Sequence, residues 1–209
     1  MKLIAGLGNP GARYAESRHN VGYLVVDELA RRWQADVSHH DRHFDAFVGQ
    51  AQRSGEPVIL VKPTTYMNLS GRSVAAVWRY YKLDLTAVLI VYDDLDLPSG
   101  QVRVRAAGSS GGHKGMEDVI RHLGSDALHR IRVGIGKTQR ATATEFVLSR
   151  FDASERPVLD AALTTAADAA ECWLARGIAA TMNQYNRRRD DESSSRPAAG
   201  PSPSEGDPS

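Results

Sequence analysis

Cysteine is almost absent from this 209-residue chain: Cys172 is the only one. No disulfide can form within the chain, which excludes a disulfide-stapled framework and fits a reducing compartment. Long apolar runs are missing too. No stretch approaches the roughly 18–20 apolar residues that a membrane-spanning helix needs. The opening Met1-Lys2-Leu3-Ile4-Ala5 lacks the longer apolar run and small-residue cleavage site of a secretory signal. These absences lead to the expectation of a cytoplasmic protein with no membrane partner. No internal repeat is visible. An excess of one charge is also lacking, since the formal net charge is +1.

That small net charge hides a division. Of the 26 Lys/Arg and 25 Asp/Glu, one base and five acids fall in residues 190–209, leaving 25 bases against 20 acids in residues 1–189. A mildly basic body is compatible with a nucleic-acid partner without requiring one. The chain is 42% hydrophobic and 24% charged, an ordinary globular composition, and is long enough for one substantial core.

Hydrophobic periodicity gives the order of elements. Lys2–Leu7 reads as a buried strand broken at Gly8-Asn9-Pro10-Gly11. Val21–Gln34 reads as an amphipathic helix. Phe44–Ala51 and Val58–Lys62 read as a hairpin, and Ser70–Tyr81 as a second helix. Ala87–Tyr92 is an unbroken apolar run, the pattern of a strand buried on both faces. Gln101–Arg105 alternates like an edge strand. After the loop Gly108–Gly112 come a short helix at Met116–Leu123 and a strand at Ile131–Ile135. A long Ala-rich helix follows at Ala153–Ala175, then a last one at Ala179–Arg187. Alternating strands and helices predict an α/β fold, one domain over residues 1–189 with a twisted mixed sheet surrounded by helices. Residues 190–209 carry Ser, Pro, Gly and acids with no large apolar side chain, so they are read as a disordered tail.

Three motifs invite functions that their context opposes. Gly6-Leu7-Gly8-Asn9-Pro10-Gly11 has the spacing of a dinucleotide fingerprint, but the next helix begins about ten residues too late to hold a pyrophosphate. Gly108-Ser109-Ser110-Gly111-Gly112 matches a nucleophile elbow, but Val102-Arg103-Val104-Arg105 is too charged to be the buried strand an elbow requires. His39-His40-Asp41-Arg42-His43 follows no zinc spacing, and adjacent residues seldom converge on one ion, so it is read as a solvated loop.

Four polar residues lie at ends or edges of the expected strands, where α/β active sites form: Asn9, His19, Asn68 and Asp93. They sit in larger blocks. These are Gly6–Gly11 with Tyr14 and Arg18-His19-Asn20; Pro63-Thr64-Thr65-Tyr66-Met67-Asn68-Leu69-Ser70-Gly71; Asp93-Asp94-Leu95-Asp96-Leu97-Pro98; Gly111-Gly112-His113-Lys114-Gly115; and Arg130-Ile131-Arg132-Val133-Gly134-Ile135-Gly136. In content, order and interval these blocks resemble the bacterial peptidyl-tRNA hydrolase family, over about residues 2–187.

The resemblance implies a monomer with no obligate protein partner and no metal or organic cofactor. It implies hydrolysis of the ester joining a peptidyl carboxyl group to the 3′-terminal ribose of tRNA. His19 would be the general base, since free imidazole with a pKa of about 6.5 accepts a proton near neutrality. Asp93 would orient that ring and stabilise its protonated form, and water would stand where a triad has serine. Asn68 would donate to the developing oxyanion. Asn9 would place water or substrate and favour blocked peptidyl-tRNA over free aminoacyl-tRNA. Tyr14 and Tyr66 would stack near the tRNA terminus, with Met67, His113 and Lys114 also assigned to substrate binding. Arg105 and Arg132 would meet acceptor-stem phosphates, contacts without base information.

The chain departs from the family at Lys114, where the family has Asn, and at Lys137-Thr138-Gln139-Arg140, which lacks the usual Pro/Gly character. Lys114 loses an acceptor and gains a charge that could grip a phosphate. Two other functions stay open: a non-catalytic RNA-binding protein on the same scaffold, and a serine esterase acting through Ser110.

Overall fold

The computed structural model describes residues 1–137 and 141–186. The tail at 190–209 and the middle of the loop after Lys137 lie outside the described residues. Among the described residues, seven strands make one sheet: β1 (Lys2–Gly6), β2 (His40–Asp41), β3 (Ala46–Arg53), β4 (Glu56–Pro63), β5 (Val88–Asp94), β6 (Val102–Arg105) and β7 (His129–Gly134). Their spatial order is β2-β3-β4-β1-β5-β7-β6. The central four, β4-β1-β5-β7, are parallel, and β2, β3 and β6 run antiparallel to their neighbours at the margins. The expected single-domain mixed α/β fold is therefore the observed one.

The apolar runs form the middle of the sheet because both of its faces are covered. Alternate side chains of a strand point to opposite faces. Ile4, Leu60, Leu89, Val91 and Ile131 pack on one side with α1 (Val21–Trp33) and α5 (Arg156–Tyr185). Leu3, Ala5, Ile59, Val61 and Ile90 pack on the other with α2 (Ser70–Tyr80) and α3 (Lys114–Leu123).

Three elements differ from the sequence expectation. The two helices expected near the C-terminus are both present within α5, which breaks at Gly177, whose φ of 77° and ψ of 174° are not helical and are open to glycine without strain; only the start of the first differs. Its start is delayed to Arg156 because Ala153–Glu155 is a tighter turn, closed by the reciprocal capping of Asp152 and Glu155. A short helix, α4 (Ala143–Leu148), was not expected at all. The histidine-rich segment is partly a strand, since β2 holds His40 and Asp41. His40 Nε2 lies 2.9 Å from Thr64 Oγ1, while His43 stacks edge-on against Phe44 and Tyr80, so these rings have separate neighbours.

Gly6 of the first block and Gly22 of α1 serve close packing. A Cβ on Gly6 would stand 2.1 Å from the Gly22 carbonyl oxygen, and one on Gly22 would stand 2.4 Å from the Val91 carbonyl oxygen. The start of α1 thus rests backbone to backbone on the C-terminal ends of β1 and β5. The turn before α1 carries His19, and β5 ends with Asp93-Asp94, so this contact brings the two segments together. Gly22→Ala would force α1 away from the sheet. It is expected to lower stability by about 1–3 kcal/mol or more, the usual cost of overpacking, as read from the midpoint of urea unfolding.

Candidate active site

The loops at the C-terminal ends of β1, β4 and β5 surround a cavity of about 650 Å³. Crevices at that edge of an α/β sheet are the usual ligand sites. Asn9, His19, Asn68 and Asp93 all line it, with Tyr14, Tyr66, Met67, His113 and Lys114 around them.

Its floor is one buried carboxylate. Asp93 is 2% exposed, and its Oδ1 lies 2.8 Å from His19 Nδ1 and 3.0 Å from His113 Nε2. The hydrogen positions follow from a third bond. His113 caps α3, and its Nδ1 accepts from the Met116 amide at 3.1 Å. That nitrogen is therefore bare in the neutral ring, so Nε2 carries the hydrogen and donates to Asp93. An ionised carboxylate can only accept, so His19 donates from Nδ1 and its Nε2 lone pair is left for the cavity. Burial pushes the Asp93 carboxyl up, but the charges of His113 and His19 and their hydrogen bonds outweigh this and hold it well below the ordinary carboxylate range. Among the described residues, His19, Asp93 and His113 are also the one group whose ligand atoms, within 4.8 Å of one another, could hold a metal ion.

Asn9 is held from both ends. Its amide N–H donates to Asn20 Oδ1 at 2.8 Å, and Asn20 Nδ2 donates back to the Asn9 carbonyl at 3.0 Å. Its side-chain oxygen accepts from the Met67 amide at 2.8 Å, which leaves the side-chain nitrogen as the donor turned to the cavity. Met67 is 5% exposed, and a Cβ on Gly115 would stand 2.4 Å from its sulfur. The loop after β4 and the start of α3 are therefore in direct contact behind Asn9.

The remaining expected residues spread outward. Asn68 is exposed on the short turn Met67–Leu69, and Tyr66 stands exposed beside it. Tyr14 is half-buried, with the Arg13 guanidinium 4.5 Å from its ring centre. Lys114 is exposed at the first turn of α3 and paired with Glu117 at 3.1 Å. Arg105 and Arg132 line a neighbouring cavity of about 190 Å³ rather than the main one. Arg132 donates to Asp94. Ser110 lies on the wall shared by both cavities, and its Oγ accepts from the Gly112 amide at 3.3 Å.

Sequence reasoning missed several site residues. Arg130 is 1% exposed on the smaller cavity and bonds the backbone carbonyls of Leu128, Ser109 and Asp126, with no carboxylate among these partners. Nothing in its sequence context foretold that burial. Asn20 was quoted only as part of a block. The α4 residues Ala143, Thr144, Val147 and Leu148 form the outer wall of the main cavity. One signal could have found them: Thr142 and Glu145 make a reciprocal capping box at the start of α4.

The depressed Asp93 ionisation has a consequence for stability. A carboxyl whose folded-state pKa lies below its unfolded value of about 3.9 stabilises the fold fully above that pH and loses its contribution as pH falls below it. Acid unfolding followed by circular dichroism should therefore fall more steeply below about pH 4 in the wild type than in Asp93→Asn. Parallel curves would contradict the ionised, doubly bonded carboxylate.

A family model described as peptidyl-tRNA hydrolase matches residues 3–193. The peptidyl-tRNA hydrolase of Syntrophomonas wolfei is 48% identical over 186 residues, covering 89% of this chain and 100% of that protein. That of Geobacillus kaustophilus is 48% identical over 187 residues, with the same coverage. Among solved structures, the peptidyl-tRNA hydrolase of Acinetobacter baumannii superposes with a TM-score of 0.83 at 35% identity, over 89% of this chain and 94% of that one. Fold, site and kinship agree, and this chain belongs to the peptidyl-tRNA hydrolase family.

Proposed function

We propose that this chain cleaves the ester between a peptide or N-blocked aminoacyl carboxyl group and the 3′-terminal ribose of tRNA, using water as the nucleophile. The observation that carries this reading is the His19–Asp93 contact, which commits Nδ1 of the ring to the carboxylate and leaves Nε2 as a base on the cavity. Nε2 takes a proton as the water oxygen bonds to the ester carbon and the carbonyl electrons move onto oxygen. Asp93, buried and ionised, stabilises the imidazolium that forms. The tetrahedral intermediate then collapses. The ribose 3′-oxygen leaves with the proton from His19, giving free tRNA and a peptide with a free carboxyl group.

The donors around the base suit the rest of the reaction. The Asn68 amide would bind the oxyanion. The Asn9 amide nitrogen, oriented by Met67 and Asn20, would position water or the blocked substrate. His113 keeps Asp93 in place from its other side. Tyr14 and Tyr66 supply faces for the terminal nucleotide. Arg105 and Arg132 flank the smaller cavity, where phosphates of the acceptor stem would lie. Lys114 is partly neutralised by Glu117, so its electrostatic contribution is small in this arrangement. The reading includes a cytoplasmic monomer that works without a cofactor.

The test is release of a labelled N-blocked aminoacyl group from tRNA, with the unblocked ester as control. Wild type should cleave only the blocked substrate. His19→Ala should lose about 10²–10⁴-fold in rate, the usual weight of a general base. Asn68→Ala should lose about 3–4 kcal/mol of barrier stabilisation, seen in kcat. A folded wild type that binds tRNA and cleaves nothing would leave the RNA-binding alternative in place.

A further inference from the structure

Arg18 precedes the general base directly and is 4% exposed. A buried guanidinium must find partners for a planar charge and several N–H groups. Among the described residues, every side-chain partner of Arg18 comes from one stretch, residues 146–155. Its Nη1 and Nη2 donate to the two carboxylate oxygens of Glu155 at 2.9 and 2.5 Å, and its Nε donates to Ser149 Oγ at 3.2 Å. The group lies 4.4 Å from the centre of the Phe146 ring and 4.6 Å from that of Phe151. The backbone follows, since the Arg18 amide donates to the Ser149 carbonyl at 2.9 Å and Ser17 forms an isolated β-bridge with Arg150.

The segment so gripped has little else to hold it. Of the six residues of α4, only Val147 is buried. Burying one valine cannot offset the ordering of six residues and their flanks. Yet α4 lines the main cavity together with His19 and packs beside the turn that carries it. We propose that Arg18 is a positioning residue that couples the turn carrying His19 to the α4 wall, so that the general base and the surface bounding the substrate keep one fixed spacing. This rests on the hydrolase reading for its kinetic consequence, but not for its structural one. Lys cannot take over, because it lacks the plane that lies between two rings and the fork that meets a carboxylate at two points.

The experiment compares wild type, Arg18→Lys, Glu155→Gln and the double variant by hydrogen exchange over residues 141–155 and by steady-state cleavage of blocked aminoacyl-tRNA. Glu155→Gln removes the charge of a partner that is only partly buried and keeps the assay informative if a change at the buried Arg18 unfolds the chain. Each single variant should exchange faster in 141–155 with β1 and β5 unchanged. Each should show KM raised about tenfold or more, since ångström-scale misplacement carries costs of that size. The double variant should be no worse than the more severe single one, because both cut the same tie. A purely structural role would change unfolding but leave KM of the folded enzyme alone. Native exchange in 141–155, unchanged KM, or additive losses would each overturn the proposal. An inactive wild type would instead sink the hydrolase reading, and exchange would still decide whether the tie exists.

Discussion

Asp93 Oδ1 accepts hydrogen bonds from His19 and His113 at once, and the site is arranged around that shared oxygen. A carboxylate at 2% exposure is tolerable only when charge and hydrogen bonds replace the water it has lost. The two imidazoles do this from different elements, one in the turn before α1 and one at the cap of α3. Because His113 is also fixed by the Met116 amide, the proton inventory of all three groups is determined. The ring that remains able to accept a proton is the one lying beside Asn9 on the cavity.

Close backbone packing makes that meeting possible. The Gly6–Gly22 contact sets α1 on the ends of β1 and β5, and the Met67–Gly115 contact joins the loop after β4 to α3. Asn9 and Asn20 exchange two hydrogen bonds, much as paired strands do, and extend β1 by a side-chain bridge beyond its last residue. Of the glycines whose spacing resembles a dinucleotide fingerprint, Gly6 and Gly8 answer to the close approach of α1, and Gly11 to a backbone φ of 98°.

What was legible in the sequence was what local chemistry determines. The doubly buried β5 reads from its unbroken apolar run, and α1 from its period. His19 and Asp93 stood out as polar residues at strand ends and within recognisable blocks. The rest depends on distant partners. A helix of six residues with one buried side chain has no period to read, so α4 was passed over. β2 is two residues long, and its pairing depends on β3. Arg130 became a buried cation only because three backbone carbonyls from its own and a neighbouring loop converge on it.

The tautomers of the two site histidines are the most direct measure of this arrangement. Two-bond ¹H–¹⁵N correlation spectra of imidazole-labelled protein, recorded where both rings are neutral, report which nitrogen carries the hydrogen. The structure predicts opposite answers for the two residues: Nδ1–H for His19 and Nε2–H for His113. Finding His19 with its hydrogen on Nε2 would mean that its basic nitrogen faces Asp93 rather than the cavity, and would contradict the role as base proposed for it.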